Sequence, residues 1–166
     1  MANWCEGRDV CVGNLGISRS DMPQLKTNVL PKYLTWLQKQ GVSVTPGTVM
    51  VGSLTPSQEE LNPDKVSELK GKSFLSVTPI LISYDNYVLD GHHRWAALVE
   101  EDLAKVIPVL KLGLPIQELL EATALFDGVT KVDLQDRKVA NLHSSESTAM
   151  LAWSWILNST SDWCKR

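Results

Sequence analysis

The stretch that most constrains the fold of this chain is residues 87–97, where an apolar segment meets Asp90-Gly91 and an alanine-containing segment follows. Tyr87-Val88-Leu89 has the composition of a strand, and the residues from His92 onward are typical of a helix. A helix that begins directly after a strand has first-turn N–H groups without intrahelical acceptors. The stretch therefore predicts a strand–turn–helix unit whose helix end suits an anion.

Length and charge limit the classes of protein to which the chain can belong. With 166 residues, a net charge of −3 and a mean hydropathy of −0.08, we expect one compact domain without a global basic surface. The apolar runs are short, and residues 1–6 have neither a basic start nor an apolar signal core. We therefore expect no membrane association and a cytoplasmic location, and nucleic acid is a less favoured partner.

The three cysteines, Cys5, Cys11 and Cys164, form an odd set near the two chain ends. They include no Cys-x-x-Cys pair and have no histidine at zinc-finger spacing. We expect reduced thiols, with neither a structural disulfide framework nor a zinc site.

Periodicity, caps and turn residues predict the other elements. Helices are expected at residues 31–40, 62–71, 92–101 and 116–124, and strands at residues 48–51, 79–83, 87–89 and 106–110. Asp85-Asn86 favours a tight hairpin turn. A helix start at residues 20–23, a turn at residues 45–47 and a tryptophan-rich terminal helix at residues 151–157 are also predicted. Pro108 favours an edge position or a strand end.

The side chains after Gly91 indicate what the helix end could bind. Gly91 permits close backbone approach, and His93 and Arg94 can donate hydrogen bonds to phosphate oxygens. Cations are unfavourable at a helix N-terminus unless an anion lies there. We therefore favour an anion-binding turn over the alternative, in which Asp90 caps a helix and the histidines are surface residues. Trp95 is expected to anchor its helix in the core, and His143 to lie on the surface.

Residues 90–97, with the sequence Asp-Gly-His-His-Arg-Trp-Ala-Ala, resemble the signature turn of the ParB/sulfiredoxin superfamily. Upstream, Pro56-Ser57 and the segment from Asn62 to Leu69 resemble the strand and short helix of the same superfamily. Met22-Pro23-Gln24 is similar to an element of phage-encoded members. The resemblance implies a small α+β domain with a mixed sheet and flanking helices. It also implies a core at residues 46–112, an N-terminal extension at residues 1–45 and a helical C-terminal extension at residues 113–166.

The sequence departs from two better-known branches of the superfamily, and each departure argues against the activity of that branch. Sulfiredoxins have a cysteine where this chain has His92, so sulfinic acid reduction by that route is not expected. Partition-type ParB proteins have Glu-Arg-Arg after the glycine and two further domains, for which 166 residues are too few. A DNA-sliding clamp is therefore not expected.

The branch that remains implies a phosphotransferase or phosphohydrolase that uses ATP or another nucleotide, Mg²⁺ and an unidentified acceptor. By resemblance, the nucleotide-binding residues are Ser57, Gly91, His92, His93 and Arg94. The catalytic candidates are Glu60, Asp90 and His92, because a carboxylate must orient or deprotonate the attacking group. Asp90 is also the candidate metal ligand.

Two other classes of function stay open. One is a metal-dependent nuclease in which His92, His93 and acidic neighbours hold the metal, although the acidic net charge disfavours it. The other is a non-catalytic accessory protein that binds a nucleotide or a partner.

Overall fold

The computed structural model describes residues 2–126 and the backbone of residues 129–130. The helices in these residues are α1 (Leu30–Lys39), α2 (Pro63–Leu69), α3 (His92–Glu101) and α4 (Ile116–Ala124). The strands are β1 (Gln24–Leu25), β2 (Val44–Met50), β3 (Thr55–Pro56), β4 (Ile80–Ile82), β5 (Tyr87–Asp90), β6 (Val106–Leu112) and β7 (Val129–Thr130). The four predicted internal helices and the predicted hairpin are therefore confirmed.

Five strands form one mixed sheet in the order β2-β6-β4-β5-β3, and β1 pairs separately with β7. The β2–β6 and β4–β5 pairs are antiparallel, whereas the β4–β6 and β3–β5 pairs are parallel. This arrangement confirms the predicted α+β class with a mixed sheet. No helix in residues 2–126 is long and apolar enough to cross a membrane.

The two faces of the sheet contribute to two separate cores because successive strand residues point to opposite faces. Ile80 and Ile82 pack in a cluster with Trp95 of α3 and residues of α2, and Leu81 packs in a second cluster with residues of α1 and α4. Trp95 is fully buried, and its Nε1 donates to the carbonyl of Val51, so its predicted role as a core anchor is confirmed.

The hairpin of β4 and β5 contains an irregularity immediately before α3. Ile82 pairs with Val88 and Leu81 pairs with Asp90, so β5 has one extra residue between these two pairs. A bulge of this kind bends a strand and changes the direction of its side chains. It lies directly before Gly91 and thus helps to set the direction in which the chain enters α3.

Two local predictions are wrong. Residues 21–22 form a turn instead of a helix start, and residues 45–47 lie inside β2 instead of forming a turn. Pro46 is tolerated there because β2 is an edge strand. Neither position predicted for Pro108, an edge strand or a strand end, is observed, since β6 lies between β2 and β4 and Pro108 is its third residue. Pro108, however, precedes Val109–Lys111, the residues that pair with β4, so only β2 lies beside it.

The prediction of reduced cysteines is wrong for the first two. Cys5 and Cys11 form a disulfide, with their Cα atoms 5.6 Å apart. A short 3₁₀ turn at Asp9–Cys11 folds the chain back and brings the two residues together. His143 and the predicted helix at residues 151–157 lie outside the described residues, and the predicted division at residues 45 and 112 stays a prediction.

Candidate functional site

The turn between β5 and α3 depends on Gly91. This residue precedes the first residue of α3 and has φ of 99°, a left-handed conformation that side chains other than glycine rarely adopt. A Cβ at this position would lie 2.8 Å from Nη2 of Arg94. Glycine therefore permits both the turn and the close approach of the Arg94 guanidinium to the backbone.

The His92 side chain is 6% exposed and contacts the loop between β3 and α2 (residues 57–62), which we call the β3–α2 loop. Its Nε2 atom lies 3.3 Å from the backbone nitrogens of both Ser57 and Gln58, and 3.1 Å from Oγ of Ser57. Because a ring nitrogen that accepts from backbone N–H groups carries no proton, His92 is neutral with its proton on Nδ1. Burial, assisted by the charge of Arg19, lowers the pKa of His92 to about 3.

His93 contacts the other end of the same loop. Its Nε2 atom accepts a hydrogen bond of 3.1 Å from the backbone N–H of Asn62, the residue whose side chain caps α2 through the N–H of Asp64. The two histidines at the start of α3 thus bind the first and last residues of the β3–α2 loop. They fix the position of this loop relative to the helix end.

Arg94 lies beside Asp90, with 3.6 Å between Nη2 and Oδ2, and its Nη1 donates to the carbonyl of Pro79. The side chains of Arg94 and Asp90 are 19% and 28% exposed, so solvent or a ligand can reach both. A guanidinium has five N–H donors, more than these two contacts require. Burial raises the pKa of the Asp90 carboxyl, while Arg94 and the N–H of Gly91 oppose that rise.

Arg19 is a site residue that the sequence reasoning missed. Its Nη1 atom lies 3.4 Å from Nε2 of His93. Arg19 belongs to the N-terminal strap (residues 3–22), which runs beside the β3–α2 loop through hydrogen bonds from Leu15 N–H to Ser57 and from Glu59 N–H to Ile17. No local pattern distinguishes Arg19 from other surface arginines, because the residues of the site that it affects, His92 and His93, are more than 70 residues away along the chain.

The other predicted residues occupy different environments. Ser57 is fully buried, and its Oγ donates to the carbonyl of Val88, 2.6 Å away. Glu60 is exposed in the β3–α2 loop, and its carbonyl accepts from the side chain of Gln58. The predicted catalytic roles of Glu60, Asp90 and His92 stay predictions.

The donor groups near the turn limit how the predicted Mg²⁺ could be bound. In residues 2–126, no three His, Cys, Asp or Glu side chains lie close enough together to hold a metal. Mg²⁺ is commonly bound by one or two carboxylates together with substrate phosphates and water. The donors therefore fit Mg²⁺ only as an ion shared between Asp90 and a bound phosphate.

The fold and site together define a small α+β domain with a histidine–arginine turn at the N-terminus of α3. No family model and no curated protein matches the chain. Among solved structures, the chain is similar to a Pnob8-like ParB-N domain solved in a C2221 crystal form. The identity is 12%, the TM-score is 0.35, and the match covers 49% of this chain and 35% of the other. This similarity concerns the fold alone and carries no statement about ligand or activity.

Proposed function

We propose that this chain binds the phosphate groups of a nucleotide at the N-terminal turn of α3 and transfers or hydrolyses a phosphoryl group. The observation that carries this proposal is the position of Arg19, whose guanidinium lies 3.4 Å from the His93 ring at this turn. Arg94 brings a second guanidinium to the same turn, where it lies beside Asp90. The first turn of α3 itself contains no acidic residue, and the free N–H groups of a helix N-terminus favour an anion.

The contacts indicate different roles for the residues of the turn. Arg94 and Arg19, together with first-turn N–H groups, would bind phosphate oxygens. The ring Nε2 atoms of His92 and His93 accept from the β3–α2 loop, so these side chains position the loop. Their predicted nucleotide contacts would then come from Nδ1 or from the backbone.

Asp90 and Glu60 are the two carboxylates proposed as the general base. Asp90 lies beside Arg94, and a pKa raised by burial suits a group that must accept a proton near neutral pH. Glu60 is exposed in the neighbouring loop. Mg²⁺, when bound, would neutralise phosphate charge and reduce repulsion between the phosphates and Asp90.

Calorimetric titration with ATP, ADP, CTP and tripolyphosphate, with and without Mg²⁺, tests phosphate binding. We expect nucleotides and tripolyphosphate to bind, and Arg94→Ala to weaken binding. Lys39→Ala, which removes an exposed charge from the last turn of α1, is the matched control and should bind normally. Absence of binding by every compound would overturn the proposal.

Phosphorus NMR of the bound nucleotide separates an enzyme from a binder. Release or transfer of phosphate that Asp90→Asn or Glu60→Gln abolishes supports the enzyme and shows which carboxylate turnover requires. Binding without turnover across an acceptor screen supports the non-catalytic binder. Nicking of supercoiled DNA that His93→Ala abolishes would favour the nuclease instead.

A further inference from the structure

The N-terminal strap contacts the β3–α2 loop at two places. At the first, Asn3 Oδ1 accepts from the N–H of Leu61, Asn3 Nδ2 donates to the carbonyl of Glu59, and Trp4 N–H donates to the carbonyl of Leu61. At the second, Leu15 N–H donates to the carbonyl of Ser57 at 3.3 Å. The residues of these two places are separated in sequence by the segment that contains Cys5 and Cys11.

The second place continues towards the site. The carbonyl of Ile17 accepts from the N–H of Glu59 at 2.9 Å, and Arg19 follows two residues later. Met22, only 1% exposed, ends this part of the strap, with its sulfur near Oγ of Ser57. Residues 15–22 of the strap, which form the second place, therefore contact the β3–α2 loop and also include Arg19.

The Cys5–Cys11 disulfide cross-links the segment between the two places. Cys5 and Cys11 are 7% and 4% exposed and belong to the core cluster that contains Trp95. The first place has an additional attachment to α3, because Nε1 of Trp4 donates to a carboxylate oxygen of Glu100 at 2.7 Å. The disulfide connects the second place to this well-anchored part of the strap.

We propose that the Cys5–Cys11 disulfide is a redox-sensitive clamp that holds the second place of the strap against the β3–α2 loop. A dithiol reductant breaks the S–S bond, leaves two protonated thiols and is itself oxidised to a disulfide. The second place then loses the disulfide cross-link to the anchored first place and stays connected to it only through the backbone, so residues 13–22 separate from the loop more often. The effect of the clamp on the loop does not depend on the proposed function. Its effect on nucleotide affinity, through Arg19, rests on the proposed function.

Native-state amide exchange followed by NMR tests the clamp, in a Cys164→Ser background that excludes pairing with the third cysteine. After reduction of the full chain, we expect the amides of Leu15 and Glu59 to exchange at least tenfold faster. The amide of Leu61, which bonds to Asn3 at the first place, should keep its rate. Equal acceleration at Leu61 and Glu59, or no acceleration at either, would contradict the clamp.

Two controls complete the experiment. Alkylation of the unreduced protein in denaturant, which exposes both cysteines, should leave Cys5 and Cys11 unmodified by mass spectrometry, and two alkylated thiols would overturn the proposal. The double variant Cys5→Ala/Cys11→Ala should show the same exchange with and without reductant. Since reduction of the unsubstituted pair is measured directly, the test does not depend on that variant folding. Unchanged nucleotide affinity with accelerated Glu59 exchange would contradict only the proposed function of Arg19.

Discussion

The ring Nε2 of His92 lies 3.1 Å from Oγ of Ser57 and 3.3 Å from its backbone nitrogen, so the first residue of α3 binds the start of the β3–α2 loop. His93 binds the end of the same loop through Asn62. These contacts require neutral imidazoles, because a protonated ring has no lone pair to offer. Loop position and histidine protonation are therefore linked.

The link between His92 and the loop predicts a loss of stability in acid. The pKa of His92 is about 3 in the folded protein and about 6.5 when unperturbed, so the unfolded chain binds more protons between these values. The contribution of His92 to the free energy of unfolding should be fully present above about pH 6.5. Below that pH, the free energy of unfolding should fall by up to about 1.4 kcal/mol per pH unit towards pH 3.

Urea denaturation between about pH 7 and about pH 5 measures this slope in a range where most carboxylates stay ionised. His92→Gln places an amide near the position of Nε2 and cannot titrate. Its slope should be clearly smaller than that of the original chain. Identical slopes for the two proteins would show that His92 does not control the acid response.

Removal of either arginine should weaken phosphate binding. Hydrogen bonds to charged groups contribute about 1.5–3 kcal/mol, and about 1.4 kcal/mol corresponds to tenfold in affinity. We therefore expect Arg19→Ala and Arg94→Ala each to lower tripolyphosphate affinity by about tenfold or more. Arg94→Lys should lose less than Arg94→Ala because it keeps the charge. If Arg19→Ala binds tripolyphosphate as well as Lys39→Ala does, Arg19 does not contribute to phosphate binding.

Gly91→Ala should impair both stability and the position of Arg94. Forcing alanine into φ of 99° costs about 1–2 kcal/mol, and the new Cβ would lie 2.8 Å from Nη2 of Arg94. Gly41→Ala is the matched control, since Gly41 has φ of 84° with no atom within 4 Å of an added Cβ. Thermal unfolding should show a similar loss in both variants, whereas phosphate affinity should fall only for Gly91→Ala.

The cap of α2 should stabilise the end of the β3–α2 loop. Asn62→Ala removes the oxygen that accepts from Asp64 N–H, and such a loss typically costs about 1 kcal/mol. Asn62→Asp retains an acceptor and should retain most of the stability. Chemical denaturation of the three proteins provides the comparison, and a destabilised Asn62→Asp would contradict the capping role.

The local elements could be predicted from the sequence because their signals lie within a few residues. Asn62-Pro63 predicts the start of α2, Asp85-Asn86 predicts the hairpin turn, and Gly91 predicts the turn into α3. The predictions that were wrong concern neighbours that local patterns do not contain. Pro46 looked like a turn residue because nothing nearby showed that β2 would be an edge strand.

The sequence by itself determined the α+β class and the glycine turn with its histidines and arginine, since strand alternation, helix caps and a positive φ are properties of short segments. Only the tertiary structure decided what the side chains of that turn contact. His92 and His93 bind a loop about 30 residues earlier, Arg19 reaches His93 across 74 residues, and Cys5 pairs with Cys11. The histidine and arginine contacts arise because the strap and the β3–α2 loop pack against the start of α3, at separations along the chain that no local pattern records.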